Sequence, residues 1–272
     1  MRELEILVAD PAKNITVFVL GAAENRAETA RALMADSALK AEQVGFVVPP
    51  EGYTEAPGPQ KQKGLWRLEM AGGEFCGNAA RAFGLFVARE LGLAGDLALS
   101  IEISGASGPL PVRVSTSEGT AEVDMPKPLA HSSIACQGAD LPVIVFEGIT
   151  QVIAPEAPPS REAFLALKKT VEEKGPAPDA FGVMFWEAAR NFMTPAVYVY
   201  ATDSLVFESS CGSGSAALAL WQSRDLRDGE ARAAVAQPGG LIDTRVVKTG
   251  GSLVSVCIGG KVGLGEKMRV WL

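Results

Sequence analysis

Two segments of this chain are apolar on nearly every side of a helical wheel, and neither can lie on a surface. In the first, Ala80, Phe83, Leu85, Phe86 and Val87 point in all directions; in the second, Ala216, Ala217, Leu218, Leu220 and Trp221 do the same. A helix without a polar face must be enclosed on all sides. Short alternating or continuous apolar runs can enclose it: ITVFVL at 15–20, VGFVV at 44–48, PVIVF at 142–146 and AVYVY at 196–200 read as strands. The pattern predicts an α+β fold in which a mostly antiparallel sheet wraps around a central helix, and two such helices predict that it does so twice. A chain of 272 residues has room for two cores, since a domain typically takes roughly 100–150 residues.

The two helical segments also align. Setting Cys76 on Cys211 pairs CGNAARAFGLFVARELGL with CGSGSAALALWQSRDLRD, so that Arg89 falls on Arg224, Glu90 on Asp225 and Leu91 on Leu226. The stretches C-terminal to the two segments, GASGPLPVRVSTSEGTAEVDM and QPGGLIDTRVVKTGGSLVSVCI, each read as glycine turn, strand, hairpin and strand. Amphipathic outer helices are expected at comparable points of each half, AENRAETARALMADSALK and SREAFLALKKTVEEKG, the second with Ser160 as its N-cap. Two correspondences in register predict two pseudo-symmetric domains. The proline-punctuated MPKPLA at 125–130 sets the boundary: residues 1–127 and 128–272, with the final residues packing back on the N-terminal domain.

Composition excludes several classes of function. The formal net charge is −7, and no basic run exceeds the pair Lys168 and Lys169, which argues against a nucleic-acid partner. The longest apolar stretches fall far short of a membrane span, and the N-terminal residues lack the apolar core of a signal peptide, so a cytoplasmic protein without a membrane partner is expected. Cys76, Cys136, Cys211 and Cys257 are too widely separated for the close pairs of a zinc site, so no metal is expected; in a reducing compartment they are expected as free thiols. The single histidine, His131, is given no catalytic role, and Cys257, in LVSVCI, reads as core. No nucleotide fingerprint or pyridoxal-phosphate signature is evident, and no cofactor is expected.

Cys76 and Cys211 each stand where a helix begins. First-turn backbone N–H groups have no intrahelical partner, and the helix dipole adds partial positive charge, so that end favours a thiolate or a carboxylate. Small residues, C-G-N and C-G-S-G, leave the amides open to an anion and lower the thiol pKa. Either motif alone is more often packing than chemistry; the pair, in duplicated halves facing across a cleft, points to proton transfer. Inverting a carbon that bears a hydrogen needs a base on one face and an acid on the other, and two like thiols exchange those roles with direction. Helix N-termini converging on the substrate carboxylate would stabilise the carbanion.

These residues resemble the cofactor-independent racemases and epimerases typified by diaminopimelate epimerase, over essentially the whole chain. The resemblance implies two similar domains, a homodimer, a small amino-acid substrate, and Cys76 and Cys211 as alternating acid and base. It implies that Gly77, Asn78, Gly212 and Ser213 supply amides to the α-carboxylate, and that Asn14 and Gln43 line the cleft. The departures from the epimerase concern its grip on a distal amino-acid group: Glu69, Ile149 and Ala180 stand where it has asparagines, Asp203 falls near its arginine, and Ala79 replaces a glycine. Acids in place of cations reverse the preferred charge. Glu69, Asp203 and Glu208, if they face the cleft, favour a basic side chain, and the pattern resembles the histidine racemases of this family. Diaminopimelate epimerase itself and a noncatalytic module binding a carboxylate or phosphate stand as the alternatives.

Overall fold

The computed structural model describes residues 3–53, 64–136, 138–173, 179–200 and 203–272. The fold is mixed α+β, with four α-helices among the described residues. The chain divides into two units, one formed by Met1–Asp124 with Gly259–Leu272 and the other by Met125–Ile258. The division after Asp124 precedes the boundary expected at 127, and residues from Gly259 onward belong to the first unit.

The first unit begins with β1 (Glu3–Asp10) and β2 (Thr16–Leu20), followed by α1 (Arg26–Ala35), β3 (Gln43–Val48) and β4 (Arg67–Met70). It continues through α2 (Gly77–Glu90), β5 (Asp96–Ile103), β6 (Leu110–Ser115) and β7 (Thr120–Asp124). Consecutive strands pair in the order antiparallel β1–β2, parallel β2–β3, antiparallel β3–β4, parallel β4–β5, then antiparallel β5–β6 and β6–β7. The two parallel steps are those that carry α1 and α2, because a parallel neighbour needs a crossover long enough to return the chain. α1 is shorter than the amphipathic stretch around it. At Asp36 the backbone turns extended, and the Asp36 carboxylate accepts from Ala38 N, a local bond that competes with another helical turn.

Helix α2 is the core of this unit. Twelve of its fourteen residues, Gly77 through Ala88, are buried, as its lack of a polar face requires. Phe83 stacks on Phe86 and both meet the edge of Phe18 from β2, while Trp66 meets Phe86 edge-on. Sequence patterning did not foresee that Arg81, in this same helix, is fully buried. Its guanidinium donates to the Gly260 and Lys261 carbonyls at 3.2 and 3.0 Å, and its Nε donates to Asn78 Oδ1 at 3.2 Å. A buried cation needs partners for its donors, and here two carbonyls from late in the chain accept from Nη1 while Asn78 accepts from Nε. Beyond that anchor, β17 (Gly263–Leu264) and β18 (Met268–Trp271) run antiparallel to β1, with Glu3 opposite Trp271.

The second unit opens with β8 (Ala130–Cys136), β9 (Ala139–Phe146), β10 (Ile149–Pro155), α3 (Arg161–Glu172) and β11 (Ala180–Glu187). Next come β12 (Phe192–Val199), β13 (Ser204–Phe207), α4 (Gly212–Gln222), β14 (Gly229–Gln237), β15 (Gly240–Thr249) and β16 (Ser252–Gly259), whose last residue falls to the first unit. Its pairings are antiparallel β8–β9 and β9–β10, parallel β10–β11 across α3, antiparallel β11–β12, parallel β12–β14 across α4, and antiparallel β14–β15; β13 folds back on β12 as a hairpin. β8 begins at the last residue of the expected linker and takes in His131. α3 starts where Ser160 caps it, its Oγ accepting from Ala163 N at 3.1 Å, and it buries Phe164 and Leu167; residues 174–175 of the expected helix lie outside the described residues. Eight residues of α4 are buried, among them Ala216 to Leu220.

One glycine fixes the approach to α2. Gly105 has φ +72°, and a Cβ there would lie 2.2 Å from the backbone nitrogen of Phe75, the residue before Cys76. Backbone cannot move aside as a side-chain tip can. Gly105→Ala is therefore expected to destabilise the protein by about 1–3 kcal/mol, measured as a lower urea midpoint at unchanged slope.

Candidate active site

Cys76 is the N-cap of α2, with extended backbone. Its sulfur accepts from Ala79 N, three residues on, at 3.5 Å, and lies 3.8 Å from Asn14 Oδ1, to which the thiol donates. The first contact favours the thiolate and the second the neutral thiol. Asn14 is buried at the end of the loop preceding β2, and its Nδ2 donates to Glu42 Oε2 at 2.8 Å, which turns the carbonyl oxygen toward the thiol. Gln43 begins the neighbouring strand: its N–H donates to Ile15 O at 3.0 Å and its Cα pairs with Thr16. Asn14 thus contacts Cys76, which is followed by the first-turn residues Gly77 and Asn78, while Gln43 is placed only by its backbone, opposite Thr16. The Asn78 side chain turns inward, its Oδ1 accepting from Arg81 Nε.

Cys211 caps α4 with nearly the same backbone angles, φ −127° and ψ 115° against −126° and 109° at Cys76. It is more enclosed. Burial, then the charge of the Glu208 carboxylate, pushes its thiol well above the usual range, opposed by Ser213 and by the Gly214 amide, although that amide makes no formal capping hydrogen bond. Ser213 Oγ is 3.6 Å from the sulfur. Below, Gln237 holds the cap: its Oε1 accepts from Cys211 N at 2.8 Å and its Nε2 donates to Ser215 Oγ at 2.8 Å, and Ser215 Oγ donates to Cys211 O at 2.7 Å. Gly212 lies next to the cysteine, and Gly214 has no room for a Cβ, which would lie 2.1 Å from Met184 Sδ.

The three acids read from the sequence are placed differently from one another. Glu208 stands against Cys211. Glu69, on β4, is ion-paired to Arg26 and, at 3.2 Å, to Arg67, and the Arg26 hydrogen bond is the main reason its carboxyl lies below its ordinary value. It borders an open cavity of about 400 Å³ in the first unit, with Arg26, Phe46, Ser104 and the Gly72–Gly73 turn. An acid already flanked by two arginines offers a cationic side chain little net charge, so the argument from a free carboxylate at Glu69 does not hold. Asp203 is exposed at the β12–β13 turn and accepts from the Tyr198 hydroxyl. All of β13 separates it from Glu208, roughly 16 Å of extended chain at about 3.3 Å per residue.

Residues that sequence reasoning did not assign complete the setting: Glu42, Arg81, Gln151, Ser215 and Gln237. Gln151 could have been found as the one amide in the apolar run of β10; Gln237, next to a proline and two glycines, gives no such signal. Among the described residues no group of three or more histidine, cysteine, aspartate or glutamate side chains is arranged to hold a metal ion, and no helix is long and apolar enough to cross a membrane.

Known proteins with the same layout include racemases and isomerases. Residues 3–270 match the family model described as the histidine racemase CntK N-terminal domain. The chain is 31% identical over 250 residues to a histidine racemase of Fusobacterium nucleatum subsp. nucleatum, covering 88% of each chain. It is 27% identical over 249 residues to one of Staphylococcus aureus, covering 88% of this chain and 87% of that one. Among solved structures it is similar to a PhzF-family phenazine biosynthesis protein of Bacillus anthracis, with TM-score 0.68 and 17% identity over 100% of both chains. A hydroxyproline epimerase of Agrobacterium vitis gives TM-score 0.62 and 11% identity over 99% of this chain and 92% of that one. Those two likenesses bear on the fold. The family match, running through both thiol-capped helices, makes the protein an isomerase of the amino-acid racemase type that belongs to the histidine racemase CntK family.

Proposed function

We propose that this protein racemises a basic amino acid, histidine first, by a two-cysteine acid/base mechanism without a cofactor. One thiolate takes the α-proton from one face of the α-carbon and the other thiol returns a proton to the opposite face; the roles exchange for the other enantiomer. The observation that carries this reading is that Cys76 and Cys211 cap buried helices with nearly identical backbone angles. The first-turn amides of Gly77, Asn78, Gly212 and Ser213 are the groups we assign to the substrate carboxylate, where fixed dipoles stabilise the charge that develops as the α-proton leaves. Histidine as substrate rests on the relatives, described as histidine racemases.

The same reading extends to the fold. We take the two units as copies of one duplicated domain. The pairing order antiparallel, parallel, antiparallel, parallel, antiparallel runs from β1 to β6 and again from β9 to β15, with a helix in each parallel crossover. β13 is the insertion that distinguishes the second copy, and Glu208 comes directly after it.

Incubation of L- and D-histidine with the enzyme in D₂O under reducing conditions is expected to replace the α-proton, followed by ¹H NMR, with both enantiomers converging on the racemate. Absence of exchange with histidine, lysine, ornithine, arginine and diaminopimelate would overturn the racemase reading. Cys76→Ser and Cys211→Ser are each expected to lower kcat by at least about 100-fold, the lower end of what a positioned acid or base contributes; wild-type turnover in either variant removes that cysteine from the mechanism.

Glu208 raises the Cys211 pKa because a carboxylate beside a thiol opposes a second negative charge. Glu208→Gln removes that charge, so the pKa falls and the thiolate fraction at a given pH rises. Alkylation of Cys211 by iodoacetamide, followed by mass spectrometry across pH 7–10, should shift its midpoint to lower pH. Burial, the larger cause, still holds the midpoint above that of a free thiol.

A further inference from the structure

We propose that Gln151 is a positioning residue for Cys211: by donating to Ser213 Oγ it directs the Ser213 hydroxyl proton onto the Cys211 sulfur. Gln151 lies in the middle of β10, which packs against α4, and it has no exposed surface. Its Nε2 donates to Ser213 Oγ at 2.9 Å, and Ser213 Oγ lies 3.6 Å from Cys211 Sγ. A serine hydroxyl has one proton to give. With an amide N–H on its lone pair, that proton is turned away from the glutamine and toward the sulfur, where it stabilises negative charge. A fixed donor of this kind offsets part of what burial and the Glu208 carboxylate impose on the same thiol, and lets one group hold and release a proton.

The orientation of the amide decides the direction of the effect, and the surroundings of its oxygen select it. Gln151 stands opposite Gly182 of β11 in parallel register, and a Cβ on Gly182 would lie 1.9 Å from Gln151 Oε1. The oxygen therefore occupies the space that a side chain would take, and it has no hydrogen-bond partner among the described residues. An acceptor there faces a Cα–H, a weak but favourable contact, whereas the turned amide would bury two N–H donors against carbon. Gly182 and Gln151 thus form one device: the missing side chain admits the oxygen, and the oxygen's place points the nitrogen at Ser213. Around the thiol, β11 contributes Met184 beside Gly214, β14 contributes Gln237 to the Cys211 amide, and the connection after β13 contributes Glu208, the charged group acting on it.

The inference rests on Cys211 as a catalytic acid/base, but its test does not need turnover. The probe is iodoacetamide, and the readout is the rate of Cys211 alkylation against pH in the full chain, by peptide mass spectrometry. Gln151→Met keeps the length and removes the donor; Ser213→Ala removes the hydroxyl. Each is expected to raise the alkylation midpoint, slowing the reaction about tenfold at a pH below it, one pKa unit being a factor of ten. The double variant is expected to go no further, because the glutamine acts only through the serine. A wild-type profile in Gln151→Met, a faster reaction, or additive shifts in the double variant would each overturn the proposal. Should Gln151→Met lose its native circular dichroism, Gln151→Asn, which withdraws the amide by one methylene, carries the same expectation. These outcomes stand whether or not the chain racemises an amino acid; that reading fails separately, on the absence of α-proton exchange.

Discussion

The structure of each unit depends on a helix that has no side facing water. Once α2 and α4 are enclosed, their flanks are committed to packing and only their ends remain available for chemistry. The first-turn amides cannot be satisfied within the helix, and in a buried helix they cannot all be satisfied by bulk solvent. At α2 the cysteine cap takes one amide, that of Ala79, on its sulfur, and on the function proposed above the neighbouring amides of both helices serve the substrate carboxylate. The place of each cysteine cap is thus a consequence of how each core is built.

The two caps share backbone geometry and differ in electrostatics. At Cys76 the thiol donates to Asn14 and the sulfur accepts from the Ala79 amide. At Cys211 burial and Glu208 press toward the neutral thiol while Ser213 and the Gly214 amide resist. An enzyme that runs in both directions needs acids and bases matched when substrate is bound, and they need not be matched when it is absent.

Much of this was legible in the sequence because the governing pattern is local. The all-round apolar helices, the Cys-Gly starts and the Ser160 cap each need only a short window of residues to be recognised. Arg81 was hidden, since a lone arginine gives no sign of burial and its partners, the carbonyls of Gly260 and Lys261, come from far along the chain. Glu69 misled for the related reason that its neutralising partner Arg26 lies on another element; a carboxylate's effective charge is set by what folds against it. Asp203 lay within a few residues of Glu208 in sequence, yet a hairpin carries the two to opposite ends of a strand.

The strands that finish the first unit, β17 and β18, are made only after all of the second unit. During synthesis the second unit is contiguous and can close as soon as it leaves the ribosome, whereas the first must wait with one side of β1 unpaired and the Arg81 guanidinium without its carbonyls. The part made first is thus finished last, and the waiting β1 edge is the place where a stalled or truncated chain would be most exposed to association with other chains.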